Sequence, residues 1–209
     1  MQTRFLKADA PGAVEAVAAI LQDGGLVGIP TETVYGLAAN ALDGTAVAKI
    51  FTAKGRPMDN PLIVHISHFE QIYELVREVP ESAKKLADRF WPGPLTIILP
   101  KSAQIPDEVS AGLDTVAVRF PYHPVARAVI DAAGVPLAAP SANLSGHPSP
   151  TTAAHVMNDM DGRIEAVLDG GPCSVGVEST VLTLAEQPPR LLRPGGITLE
   201  QLKSVLGRV

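Results

Sequence analysis

Two stretches decide the fold: Leu95-Thr96-Ile97-Ile98-Leu99 and, after fourteen intervening residues, Asp114-Thr115-Val116-Ala117-Val118-Arg119-Phe120. The first is a short apolar run of strand length. In the second, Val116, Val118 and Phe120 alternate with Thr115, Ala117 and Arg119, so the two sets point to opposite faces of a sheet. No helix is expected between them, and a parallel pair needs a crossover of a dozen or more residues, usually helical. The pair therefore predicts a sheet with antiparallel parts. The runs at Ala166–Leu168 and Thr180–Leu184 carry the same implication.

Working outward, the i, i+3, i+4, i+7 pattern of an amphipathic helix fits Val14/Val17/Ala18/Leu21, with Gly24-Gly25 as its stop. It recurs at Val47/Ile50/Phe51/Lys54, Phe69/Ile72/Tyr73/Val76, Ala83/Leu86/Ala87/Phe90 and Val125/Ala128/Val129/Ala132. Ser67 with Glu70 and Thr198 with Gln201 have capping-box spacing. Further strand-like runs lie at Leu26–Ile29, Leu62–Ile66 and Leu137–Ala139. Helices and strands interleave throughout, which gives an α/β class with a mixed sheet. No composition break marks a linker, so one domain over 1–209 is expected, with a core of about 10–196 and a C-terminal helix of about 198–206. The Pro/Gly/Ser-rich segment Ala142 to Thr152 is expected as a functional loop within it.

The composition, 46% hydrophobic and 19% charged, is that of a globular protein, and the net charge of −5 argues against coating nucleic acid by bulk electrostatics. With Cys173 the only cysteine, neither an intrachain disulfide nor a multi-cysteine metal site can form, and a reducing, cytoplasmic setting is expected. No secretory leader and no apolar run of membrane-spanning length is evident. The 18 Gly and 19 Pro predict many shaped loops.

The usual nucleotide fingerprints, Gly-x-Gly-x-x-Gly and Gly-x-x-x-x-Gly-Lys-Ser/Thr, are absent, and no serine sits in a nucleophile elbow. His65 and His68 straddle the end of a strand and the start of a helix, which is poor geometry for a shared metal. The chemistry instead concentrates where polar residues follow apolar strands. These are Pro30-Thr31-Glu32-Thr33-Val34-Tyr35-Gly36 after Ile29, Pro140-Ser141-Ala142-Asn143 after Ala139, and Glu178-Ser179-Thr180 and Arg193-Pro194-Gly195-Gly196 at strand ends. Lys54-Gly55-Arg56-Pro57 follows a helix. Lys54 there either complements the helix end or serves a site, whereas Arg56 before a proline is directed away from the helix and suits an anion. Thr115 and Arg119 share a face that, taken alone, reads as solvated sheet.

At these residues the chain resembles the YrdC-like family of threonylcarbamoyl-AMP synthases. The resemblance runs through Pro30 to Leu37, Lys54-Gly55-Arg56-Pro57 with Asn60-Pro61-Leu62, His65, Trp91 to Thr96, Val118-Arg119-Phe120-Pro121, Pro140 to Asn143, Glu178 to Val181 and Arg193-Pro194-Gly195. It implies a YrdC-like α/β domain whose twisted, mixed parallel and antiparallel sheet encloses a deep positive cavity. It also implies condensation of L-threonine, bicarbonate and ATP to threonylcarbamoyl-AMP with release of pyrophosphate, a first stage in modifying tRNA at position 37. By the same resemblance Lys54, Arg56, Ser141 and Asn143 form the catalytic set. Thr33, His65, Arg119, Ala139 and Ser179 surround threonine, and Arg56, Asn60, Thr115, Ser141, Ser149 and Arg193 contact ATP. Mg²⁺ accompanies the ATP without a protein-built metal site. The implied partner is a downstream tRNA-modifying complex that transfers the threonylcarbamoyl group, with tRNA itself met only indirectly or weakly, and no membrane. Some members carry a second C-terminal domain, and the length here resembles the single-domain form. Two other readings share parts of the pattern: a YrdC-like paralogue handling another carbamoyl adenylate, and a non-catalytic RNA-binding module. The acidic balance and scarce aromatics speak against the latter.

Overall fold

A computed structural model describes residues 2–209. Ten strands form one sheet: β1 (Arg4–Lys7), β2 (Val27–Ile29), β3 (Gly36–Asn40), β4 (Ile63–His65), β5 (Leu95–Pro100), β6 (Thr115–Arg119), β7 (Leu137–Ala138), β8 (Ala166–Asp169), β9 (Thr180–Thr183) and β10 (Arg190–Arg193). Their order is β1-β8-β2-β3-β7-β4-β6-β5-β9-β10. The pairs β1/β8, β8/β2, β4/β6 and β5/β9 are parallel and the other five antiparallel. The expected mixed sheet is thus present, and β5/β6 is antiparallel over five residue pairs from Thr96↔Arg119 to Pro100↔Thr115. Its connection differs from the expectation, because a four-residue helix, α5 (Asp107–Ser110), lies within it. One turn of helix is too short to carry a parallel crossover, so the antiparallel inference survives.

The longer helices are α1 (Ala13–Gln22), α2 (Gly44–Lys54), α4 (Glu81–Phe90), α6 (Pro124–Ala133), α7 (Ala153–Met160) and α8 (Leu199–Leu206). One buried cluster joins α1 and α6 to Val27, Ile29, Ala38, Leu137, Ala166 and Leu168. A larger one packs α2, α4 and α7 against Val64, Val116, Val118, Ile97, Leu99 and Leu182. The apolar set of β4, β5, β6 and β9 therefore faces the larger core, which leaves the alternate set of these strands on the opposite face.

Several local expectations shift. The stripe Phe69/Ile72/Tyr73/Val76 forms a 3₁₀ turn at Phe69–Gln71 and a single α turn, α3 (Ile72–Leu75), with Tyr73 exposed. Its start is held by Gln71, not Glu70: Gln71 Oε1 accepts from the Ser67 and His68 amides at 2.8 and 3.1 Å. At the last helix the Thr198/Gln201 box forms as expected. β1, β3 and α7 were not anticipated. The α7 stripe Ala153/Val156/Met160 is buried and Thr152 caps it, but it follows directly on the Pro/Gly/Ser-rich loop that masks its start.

Candidate active site

The uncommitted face of β4, β6, β5 and β9 forms the floor of a cavity of about 410 Å³, within the usual range for small-molecule sites. Ile63 and His65 contribute from β4, Ala117 and Arg119 from β6, Ile98 from β5 and Val181 from β9. Each pair is two residues apart, as the strand period requires. The Thr115/Ala117/Arg119 face is therefore a cavity wall in its lower part and not a solvated sheet, and Arg119 is only 3% exposed. Thr115 lies one step further along the same face, beyond the lining residues, where it pairs with Pro100.

The loops close over this floor because short antiparallel strands bring opposite strand ends together. Pro30 to Tyr35 links β2 to β3, and Gly36 bridges to Ser141 beyond β7. Leu37 and Ala142 amides donate to Pro140 and Tyr35 carbonyls at 2.7 and 2.9 Å, so the two loops are fixed to each other. The Arg193-Pro194-Gly195 turn lies flush on the Glu178–Thr180 backbone. A side-chain carbon at Gly195 would overlap the Glu178 carbonyl and the Thr180 amide, which restricts the position to glycine.

At the buried end, Arg119 is held on three sides. Its Nη2 donates to Glu32 Oε1 at 2.5 Å, Nη1 to Thr33 Oγ1 at 2.8 Å and Nε to the Gly93 carbonyl at 3.3 Å. Burial weakens the hold of this guanidinium on its proton and Glu32 opposes that loss. Burial likewise resists ionisation of Glu32, but the charge and hydrogen bond of Arg119 outweigh it and the carboxyl stays below its ordinary range. His65 Nδ1 lies 3.2 Å from the Ile63 carbonyl, which only accepts, so that nitrogen carries the hydrogen and Nε2 is left as an acceptor. Burial and then the Arg119 charge push its pKa down to about 3, so the ring is neutral. Ser179 Oγ meets Thr96 Oγ1 at 2.8 Å, and Arg193 Nε and Nη2 brace the Ser179 carbonyl and hydroxyl at 3.0 and 3.2 Å. Such an end, polar and dry with a fixed cation and neutral donors and acceptors, suits a small zwitterion bearing a carboxylate.

The open end carries Arg56, Asn60, Ser141, Glu178 and Arg193. Arg56 Nη2 donates to the Asn60 and Pro61 carbonyls at 3.3 Å, while its buried Nε has no partner among the described residues. Gly55, at φ +63°, ends α2 in the left-handed conformation and turns Arg56 toward the cavity. Lys54 does not complement the helix end. It is 2% exposed, and Nζ donates to the Ser141 carbonyl and, at 2.6 Å, to that of Asn143, which fixes the turn after β7. Burial, with Arg56 adding like charge, lowers its pKa to about 8. Asn143 also stands behind the wall; its Nδ2 holds the Leu144 and His147 carbonyls and its Oδ1 has no partner among the described residues.

Of the residues singled out in the sequence, Thr33, Arg56, Asn60, His65, Arg119, Ala139, Ser141, Ser179 and Arg193 line one cavity. Lys54, Asn143, Thr115 and Ser149 do not: the first two stand behind it, Thr115 beyond it, and Ser149 donates to Glu178 Oε1 at 3.0 Å. Two charged residues within the quoted motifs carried no assignment, Glu32 as the buried partner of Arg119 and Glu178 as the carboxylate on the wall. The position of Glu32 between two threonines directly after a strand was the available signal. The histidines separate as expected, His65 buried and His68 exposed beside Asp131 at 2.9 Å. Burial raises the Cys173 thiol to about 11, which leaves it unreactive. Among the described residues, no three His, Cys, Asp or Glu converge to hold a metal. With Glu178 as the one carboxylate on the wall, the site fits an ion delivered with a ligand's phosphates and does not fit a protein-built cage.

The Sua5_yciO_yrdC family model, described as "Telomere recombination", matches residues 19–195. Threonylcarbamoyl-AMP synthases of Pyrococcus abyssi and Bacillus subtilis are each 57% identical over 94% of this chain, which spans 58% and 57% of their lengths. The crystal structure of P. abyssi Sua5 complexed with L-threonine superposes with a TM-score of 0.96 at 53% identity, over 100% of this chain and 62% of that one.

Proposed function

The chain belongs to the Sua5/YciO/YrdC family, and on that premise we propose that it is a threonylcarbamoyl-AMP synthase, making L-threonylcarbamoyladenylate and pyrophosphate from L-threonine, bicarbonate and ATP. The observation that carries this reading is the division of one cavity: a buried end built around Arg119, and an open end bearing Arg56, Ser141 and Arg193. Arg119 pairs with the threonine carboxylate, while Thr33, His65, Ala139 and Ser179 surround its remaining polar groups. Arg56, Asn60, Ser141 and Arg193 hold ATP, with Ser149 and Thr115 at its margin. Lys54 and Asn143 set the turn that presents Ser141.

The threonine amine captures carbon dioxide and loses a proton, and a carbamate oxygen then attacks the α-phosphate as pyrophosphate leaves. No protein nucleophile takes part, which accords with a cavity wall lacking an activated serine or cysteine. The residues contribute position and charge: the amine end of a threonine fixed at Arg119 faces phosphates fixed at Arg56 and Arg193. Mg²⁺ carried by ATP supplies charge neutralisation at the leaving pyrophosphate. A downstream tRNA threonylcarbamoyl-transferring complex consumes the labile adenylate in the cytoplasm, and tRNA meets this chain indirectly or weakly. No helix among the described residues is long and apolar enough to cross a membrane. The test is pyrophosphate release from ATP and bicarbonate with threonine, serine or no amino acid. Threonine is expected to give release well above both others; equal release in all three rules the reading out.

A further inference from the structure

We propose that Glu178 is an internal stand-in for phosphate: its carboxylate holds anion partners of the site before ATP binds, yields them to ATP, and competes for them again when pyrophosphate leaves. The inference rests on the assignment of ATP to the open end of the cavity. Glu178 is the one carboxylate among the lining residues. Oε2 accepts from Arg193 Nη1 and Oε1 from Ser149 Oγ at 3.0 Å, so it holds two groups assigned to ATP. The other two nitrogens of Arg193 are committed to Ser179, which leaves Nη1 as its donor toward the open end. The carboxylate also lies close enough to Lys54 and Arg56 to favour their charged forms. Every cation of the open end therefore feels the same acidic side chain.

A carboxylate and a phosphate want the same donors, charge-assisted and preferably paired. With Glu178 in place, Lys54, Arg56 and Arg193 do not face one another uncompensated. The backbone here has no room to retreat, because Ser179 is 2% exposed, Thr180 begins β9 and the Gly195 turn packs on both. Only the side chain can move, and at 36% exposure it has solvent to move into. The same competition shortens the residence of pyrophosphate, which two arginines and a hydroxyl would otherwise hold.

The test is calorimetric titration of inorganic pyrophosphate into the full chain and into Glu178→Gln and Glu178→Ala, without and with Mg²⁺, with melting curves to establish that at least one variant folds. The folded variants are expected to bind pyrophosphate roughly tenfold tighter in both conditions, about 1.4 kcal/mol. Glu178→Asp, which keeps the charge, is expected to stay close to the unaltered chain. Equal or weaker binding by the neutral variants overturns the proposal. Weaker binding confined to Mg²⁺ overturns it in favour of a metal-ligand role. Binding to no variant, the unaltered chain included, removes the ATP assignment and this inference with it.

Discussion

The charge of Arg119 at the bottom of the cavity is balanced by the Glu32 carboxylate behind it. The pair is 2.5 Å apart with both side chains at most 5% exposed, and the Glu32 carboxylate also accepts the His123 amide at 3.3 Å. Removing one member of a buried pair leaves the other charge uncompensated, at a cost of about 3–5 kcal/mol. Glu32→Gln is therefore expected to lower stability by about that amount, measured by denaturant unfolding. It should raise the threonine KM with a smaller effect on the ATP KM. A variant with unchanged stability and threonine dependence would show that Arg119 needs no buried counter-charge. On the proposed roles Arg119 and Arg56 differ in kind: Arg119→Ala should act on threonine, and Arg56→Ala on the phosphates of ATP. If Arg56 stabilises the transition state, its loss should cost about 10²–10³-fold in kcat.

Lys54 links helix α2 to the turn after β7 twice, through its ammonium group and through its carbonyl, which accepts from the Ser145 amide at 2.9 Å. Lys54 ends the helix, and its two carbonyl acceptors set the turn that carries Ser141. Burial, with Arg56 beside it, brings its pKa to about 8, so in the free enzyme the positive charge is present below that pH and lost above it. kcat/KM for ATP, which reports the free enzyme, is expected to fall as pH rises through about 8. Lys54→Arg should move that limb to higher pH if the fold accepts it, and Lys54→Met should weaken ATP use at every pH. A limb unmoved by both substitutions assigns the titration to another group. This link also marks how far the sequence could be read. The period of α2 and the alternation Thr115/Val116/Ala117/Val118/Arg119 were legible because one face of each element is apolar. β3 was not, because Gly36-Leu37-Ala38-Ala39-Asn40 is buried on both faces and shows no alternation. Lys54 occupies a core-facing position of the α2 stripe, yet no local rule distinguishes a lysine that caps its own helix from one that reaches a turn 87 residues away. Glu178 and Ser149 likewise meet only through tertiary structure.

Over the whole molecule, the net charge of −5 conceals a cavity wall carrying three arginines and a single glutamate. The same segregation makes the fold sensitive to acid. His65, with a pKa of about 3 when folded and 6.5 as its ordinary value, takes up a proton in the unfolded chain across that window and not in the folded one. Its contribution to stability is present above about pH 6.5 and is lost as pH falls toward 3. Glu32, lowered by Arg119 despite burial, acts in the same direction: its contribution is present above 4.5 and disappears as pH falls through its folded value. The thermal midpoint is expected to drop between about pH 7 and about pH 4, and His65→Gln should flatten that slope. An unaltered slope would place the acid sensitivity elsewhere. In the proposed reaction one cavity brings threonine, at its buried end, to ATP, at its open end. The most direct measurement supplies ¹³C-bicarbonate, ATP and threonine and follows the label by mass spectrometry. The label is expected in an adenylate that also contains threonine, formed with one pyrophosphate per adenylate and lost in Arg119→Ala. Pyrophosphate release without any labelled threonine adenylate would contradict it.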